Sequence, residues 1–303
     1  MANQHSGELE KISEKKTLKG ILVRKVQFEF PENFQPHWNS AKPEFSQLAN
    51  GASILLPYME PFIINAIREA TKHITDPVLL EEARAWMGQE AQHFRQHHRF
   101  NEALIAKGYS QVREREQQIE REYQELRKRS LKYQVAYTAG FEVMALAIAH
   151  MLIEQREYFF GDADPNISSL WLWHLIEEIE HKNLAFDVYQ HLYGGHWYRA
   201  YGILAALIHM IGLIRSSYIT LLKTDGLWGK WKTRWAIKKI AFRLFVSFLP
   251  RTLRYALPGH HPADVANPAW MREWVALYDN GEQRLTRLDT AKMQLSPEAM
   301  LPA

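Results

Sequence analysis

The stretch "HLIEEIEH", His174 to His181, sets two histidines and three glutamates directly behind the apolar run "SSLWLW". On a helix, residues four and seven apart share a face, so His174, Glu178 and His181 align while Glu177 and Glu180 flank them. Ionisable groups in an apolar helix are costly to bury unless something pairs with them. The reading of the chain therefore turns on what this face meets.

A second tetrad of the same type, "EAQH", runs from Glu90 to His93. A Glu-x-x-His pair on a helix puts a carboxylate and an imidazole on one side of a metal site. One such tetrad means little, because an exposed pair is ordinarily a solvated face. Two are informative when each follows a helix that supplies a further glutamate, the pattern of a dinuclear carboxylate site inside a bundle. Glu60, in "PYMEPF", precedes Glu90 by 30 residues, with a turn near Thr75 midway. At 1.5 Å rise per residue the two carboxylates return to one height. Glu142, in "TAGFEVMALAIA", precedes Glu178 by 36 residues and is the only acidic residue between Leu131 and Ile153. His97, four residues after His93, is a further candidate ligand or a partner of one.

Working outward, the periodicity predicts an all-α chain. A first helical segment spans Phe45 to His73 and is bent or restarted at Pro57 and Pro61. Asp76-Pro77 starts a second, which ends at Gly108. Val112 to Ser130 is so charged that it is expected to project as a solvated helix. An apolar helix follows from Leu131 to the turn "GDADPN", and a fourth from Ile167 to Tyr193, closed by Gly194-Gly195. Short connections imply an antiparallel bundle. The expected organisation is a single domain: a tail and extended arm over 1–40, the bundle over 41–195, and a helical extension over 196–303.

With 303 residues, 47% of them hydrophobic, the chain can bury a large core. Cysteine is absent, which excludes disulfides, thiolate nucleophiles and zinc-thiolate clusters. A net charge of +3 gives no reason to expect a nucleic-acid partner. The polar start "MANQHSGELEKISEKKTLKG" lacks the apolar core of a secretory signal, and a cytoplasmic protein is expected.

The segments around Glu60, "QEAQHFRQH", "GFEVMAL" and "HLIEEIEHKNLAFDVY" resemble the ferritin-like dinuclear-metal superfamily. More narrowly, they resemble the family described as predicted metal-dependent hydrolases. The likeness is clear from Val23 to Gly195 and implies a ferritin-like four-helix bundle with additional carboxy-terminal helices. The ligand pattern is also similar to that of the p-aminobenzoate N-oxygenases, which carry an extra histidine four residues before the last Glu-x-x-His glutamate, where His174 stands here. This resemblance implies Glu60, Glu90 and His93 on one metal, and Glu142, His174, Glu178 and His181 on the other.

Carboxylates and imidazoles without thiolate suit iron or manganese. The expected cofactors are two metal ions, Fe/Fe or Mn/Fe, with dioxygen as co-substrate. The expected activity is oxidation of a small, apolar or aromatic organic substrate, with electrons from an external donor. A metal-dependent hydrolase is the alternative, and a ferroxidase or a metal-binding bundle without an organic substrate the second.

In the extension, "YGILAALIHMIGLI", Tyr201 to Ile214, falls short of the about 20 residues that span a bilayer. A bundle-covering helix, or a contact forming a homodimer, is expected. Residues 223–254 hold nine Lys or Arg against one acidic residue, interleaved with Trp228, Trp231, Trp235, Phe242, Phe245 and Phe248. That composition fits peripheral contact with the inner membrane face, or a helix packed on the bundle with a solvated basic side.

Overall fold

The computed structural model describes residues 21–302. The expected polar tail, 1–20, lies outside them. Among the described residues the protein is all-helical, with no strand.

Chain punctuation sets the helix ends. α1 (Pro43–Ser53) breaks at Ile54-Leu55, and α2 (Leu56–Thr71) restarts with Pro57 in its first turn, where a missing N–H costs nothing. Pro61 stays inside α2, so of the two prolines only Pro57 marks an interruption. α3 (Pro77–Ala106) is capped by Asp76, whose carboxylate accepts from the N–H groups of Val78 and Leu79, and Gly108 beyond its end has φ +96°.

α4 (Gln111–Arg127) does not project. Val112, Glu116, Ile119 and Tyr123 form a buried stripe against α2 and α3 despite the charge around them. α5 (Leu131–Glu154), capped by Ser130, is apolar on all sides and buried along nearly its whole length, the central rod of the fold. A short α6 (Arg156–Phe160) leads to Asp164, which caps α7 (Pro165–Glu180).

The expected single helix to Tyr193 is interrupted at residues 181–183 and resumes as α8 (Leu184–Leu192). At the break Lys182 donates from Nζ to Val265 O and to Asn267 Oδ1 at 2.7 Å, tying this turn to the extension. α2 and α3 pack as one hairpin, α5 with α7 and α8 as another, and the two close on each other.

The arm is extended, as its alternation suggests: Arg24, Val26 and Phe28 are buried and Lys25, Gln27 and Glu29 exposed. It pairs with glutamines of α3 in place of a strand. Gln89 Nε2 donates to Leu22 O at 2.9 Å, Gln96 Nε2 to Val26 O at 2.8 Å, and Phe28 N to Gln96 Oε1 at 3.3 Å.

α9 (His196–Thr224) covers α5 and α1 along one face, at a crossing where backbones touch. A Cβ on Gly140 would sit 2.6 Å from Gly202 O, so only glycine fits there. This helix is longer than the apolar stretch suggested. α5 and α9 are both long and apolar enough to cross a membrane, but α5 is the core rod and α9 lies packed along the bundle. α10 (Trp231–Ala256) lies over α5 and α1, and α11 (Ala269–Asp279) packs through Trp270, Met271 and Trp274. The last residues form short 3-10 turns, not helices, and hold the start of α7: Leu288 N donates to Ser169 Oγ at 2.9 Å and Thr290 Oγ1 to Ala163 O at 2.6 Å.

Candidate metal centre

All seven expected ligands come together in the bundle core. Glu60 arrives from α2, Glu90 and His93 from α3, Glu142 from α5, His174 and Glu178 from α7, and His181 from the residue that caps α7. Each is buried, His174 the most accessible at 4%. Ligand atoms of Glu90, His93, Glu178 and His181 lie within 4.8 Å of one another, as do those of Glu60, His93 and His174.

The spatial pairing differs from the division expected along the sequence. His174 Nε2 is 2.9 Å from Glu178 Oε1 and 3.9 Å from Glu60 Oε1. His181 Nε2 is 3.3 Å from Glu90 Oε1, and its Nδ1 is 3.1 Å from Glu142 Oε2. One end is therefore built around Glu60 and His174, the other around Glu90, Glu142 and His181. Between them His93 Nδ1 stands 3.7 Å from Glu178 Oε1 and 3.8 Å from Glu90 Oε2. Residues adjacent on α7 reach opposite ends because four and seven positions of a helix also separate them along its axis. Glu142 belongs to neither ligand group. It meets the site through His181 and accepts from Trp86 Nε1 at 3.2 Å.

Partners outside the cluster fix which nitrogen of each ring faces it. Ser53 Oγ donates to Asn101 Oδ1 at 2.8 Å, so it accepts from His97 Nδ1 at 2.9 Å. His97 Nε2 then accepts from His174 Nδ1 at 2.9 Å, which leaves the lone pair of His174 Nε2 aimed at the carboxylates. His97 thus has both nitrogens engaged and is not placed as a ligand. It orients one.

His93 is set in the same way from the other side. Its Nε2 donates to Glu177 Oε2 at 3.0 Å, and Glu177 Oε1 accepts from Arg24 Nη1 at 3.1 Å. Arg24 also pairs with Glu180 and lies over the rings of Trp274 and Tyr278. Glu177, read from the helix pitch as a mere flank, thus supports a carboxylate-histidine pair. Its place beside Glu178 was visible in the sequence, but its partner Arg24 comes from an arm 153 residues away.

The donor set is suited to cations. Both oxygens of Glu60 and of Glu90, Glu178 Oε2, His93 Nδ1 and His181 Nε2 are buried without a hydrogen-bond partner among the described residues. Such groups are expensive to leave unpaired. Burial and neighbouring carboxylates push Glu60 well above the ordinary carboxylate range, and burial with Glu178 raises Glu90. Burial lifts Glu142 to about 8 against the opposing pull of His181. Burial disfavours the imidazolium of His93, but hydrogen bonds with Glu177 and Glu90 outweigh it and raise that group to about 9. Glu142, Glu178 and Glu90 likewise overcome burial at His181, raising it to about 10. Burial and the neighbouring His93 lower His174 to about 4, while three imidazoles hold Glu178 down at about 2 despite its burial. Without cations the cluster thus balances its charge with protons, which divalent ions would displace.

Of the aromatic residues near these motifs, Trp173 packs edge-on to His93 with ring centroids 4.9 Å apart, and Trp171 lies 4.8 Å from His97 and 6.0 Å from His174. Beyond Trp171 opens a cavity of about 370 Å³, walled by α1, α5, α9 and α10.

Comparison with curated proteins and with solved structures finds no match. The family described as predicted metal-dependent hydrolases matches residues 22–266, from the arm through α10. That span takes in every residue of the buried glutamate-histidine cluster, and the chain belongs to this family.

Proposed function

We propose that Glu60, Glu90, His93, Glu142, His174, Glu178 and His181 hold two metal ions, Fe/Fe or Mn/Fe, and that the protein is an oxygenase or oxidase acting on an apolar organic substrate. The observation that carries this reading is the inventory of the core. The four buried ligand carboxylates balance the charge of two divalent cations, and seven orphaned buried oxygens and nitrogens converge on Glu60, Glu90, Glu178, His93 and His181.

Paired redox metals, when bound, supply dioxygen activation with electrons from an external donor. The chain's own contribution is orientation and exclusion of water. Asn101, Ser53 and His97 hold His174 with Nε2 toward the cluster, and Arg24 and Glu177 hold His93 with Nδ1 toward it. Trp171 and Trp173 cover the imidazoles from the α7 side with apolar surface. The cavity beyond Trp171 suits a substrate that presents C–H bonds.

Hydrolysis is the second reading, favoured by the description of the family. There two metals would activate water and polarise an ester or phosphoryl group. Dioxygen uptake on adding ferrous iron to metal-free protein separates the readings. Sustained uptake with an apolar substrate supports the oxygenase, and a single stoichiometric burst indicates a ferroxidase. Ester or phosphoester cleavage without uptake would replace oxidation by hydrolysis.

A further inference from the structure

Along α9 the side chains of Trp197, Tyr201, Leu204, Ile208 and Ile211 are exposed at spacings of four, three, four and three residues. Along α10 Trp231, Trp235, Phe242, Val246 and Leu253 are exposed at spacings of four, seven, four and seven, with Phe245 exposed beside them. Both are helical stripes, and both face away from the bundle. Phe242 is 68% and Trp197 82% exposed. The aromatic stripe of α10 is thus not its packed side. The bundle is met instead by Thr233, Ile240, Thr252 and Tyr255, while exposed Lys232, Lys238, Lys239 and Arg243 flank the stripe.

Beneath this face lies the cavity. Ile211 of α9 and Phe245 of α10, each more than half exposed, line it from outside. Ile148, Met151 and Leu152 of α5 form its wall, and Trp171 and Leu175 of α7 its inner end. Among the described residues, Glu44 and Arg215 are the only charged ones around it. Trp171 at that end packs on His174 and His97. An apolar passage therefore leads from an exposed apolar face to within one ring of a metal-facing imidazole.

We propose that the α9–α10 face rests on an anionic bilayer and that the cavity takes the acyl chain of a membrane lipid, with the chain end against Trp171. The charge distribution selects the bilayer over a second copy of the chain. Residues 223–254 carry nine basic residues and one acidic, so a symmetric pairing of two α10 faces sets like charges against each other. An anionic headgroup layer complements the basic flanks while the tryptophans and phenylalanines enter the acyl boundary. As a substrate class the acyl chain rests on the oxidising reading of the cluster; as a ligand it does not.

The test is flotation of the full chain with phosphatidylglycerol and with phosphatidylcholine vesicles, together with titration of a fluorescent fatty acid. Wild-type protein floats with the anionic vesicles alone and binds the fatty acid. The double variant Trp235→Asp/Phe242→Asp loses at least tenfold in vesicle affinity. Ala241→Trp, a change on the exposed side of the cavity wall, loses at least tenfold in fatty-acid affinity while melting temperature and metal content stay unchanged. Equal fatty-acid binding by Ala241→Trp and wild type would overturn the cavity assignment. Flotation with both vesicles or neither, or a dimer that the double variant converts to monomer without loss of flotation, would overturn the docking assignment. Binding as expected with no oxidation of the chain by metal-loaded protein leaves this proposal standing and removes the oxygenase reading.

Discussion

Around His93 the protein buries five carboxylates and four imidazoles, Glu177 and His97 included, whereas along α9 and α10 it turns tryptophan, phenylalanine and isoleucine to solvent. Each region departs from the ordinary distribution of polarity, and in opposite senses. Buried charge without enough partners points to cations, and exposed apolar surface flanked by lysine and arginine to an anionic lipid layer. Access separates the two regions: the cluster is closed and suits small ions, whereas the outer face is open and suits an extended surface.

The contrast is broken most severely by Glu178→Ala. Glu178 faces both His174 and His93, and metal affinity measured by chelator competition should fall at least about 100-fold. Glu142→Ala should also reduce metal content; full metallation of that variant would remove Glu142 from the ligand set.

Arg24→Ala acts from outside the cluster and tests how far its order reaches. It strips Glu177 of its buried countercharge, so urea denaturation should show a loss of about 3–5 kcal/mol. Through His93, metal affinity should drop about 10–100-fold. Unchanged affinity would mean that Glu177 does not orient His93.

A milder effect appears with pH. His93 and His181 are raised to about 9 and about 10 in the fold, so the stability they give is fully present below about 6.5 and lost as pH rises through those values. Glu60, Glu90 and Glu142 are raised as well, and their ionisation at rising pH also opposes the fold. Metal-free protein should therefore melt progressively lower from pH 7 to 9, and the stabilisation by added metal should widen over the same range. A metal-free melting temperature that climbs with pH would contradict the burial of these groups.

The smallest effect on stability belongs to the outer face. Trp235→Ser should change unfolding free energy by no more than about 0.5 kcal/mol, because its side chain contacts little of the bundle. A loss of several kcal/mol would show instead that α10 depends on that stripe.

Local chemistry made much of this legible. Asp76-Pro77 and Gly108 mark helix ends by capping and backbone freedom, and they stand as expected, while Asp164-Pro165 starts α7 two residues before the expected Ile167. The convergence of Glu60, Glu90, His93, Glu142, His174, Glu178 and His181 followed from helix pitch and hairpin length. What the sequence withheld depends on distant partners. Spacing along α7 could not say that His174 would meet Glu60 while His181 met Glu90 and Glu142, since that follows from the height of each residue against neighbouring helices. Nor could it say that α4 would bury Tyr123 despite its charge, or that Lys182 would reach Asn267 where α7 breaks. The role of Arg24 required the arm to be placed against α3 and α7. For α10, composition indicated an amphipathic helix, but which side packs was settled by Ile240 and Tyr255 meeting the bundle.

The central claim is that this buried glutamate-histidine cluster holds two metal ions. Metal analysis combined with anomalous scattering, on protein loaded with ferrous iron or manganese and then desalted, tests it most directly. The account predicts two ions per chain, one beside Glu60 and His174 and one beside Glu90 and His181, and loss of both in Glu178→Ala. Fewer than two ions after full supply, or two ions bound away from these residues, would contradict it.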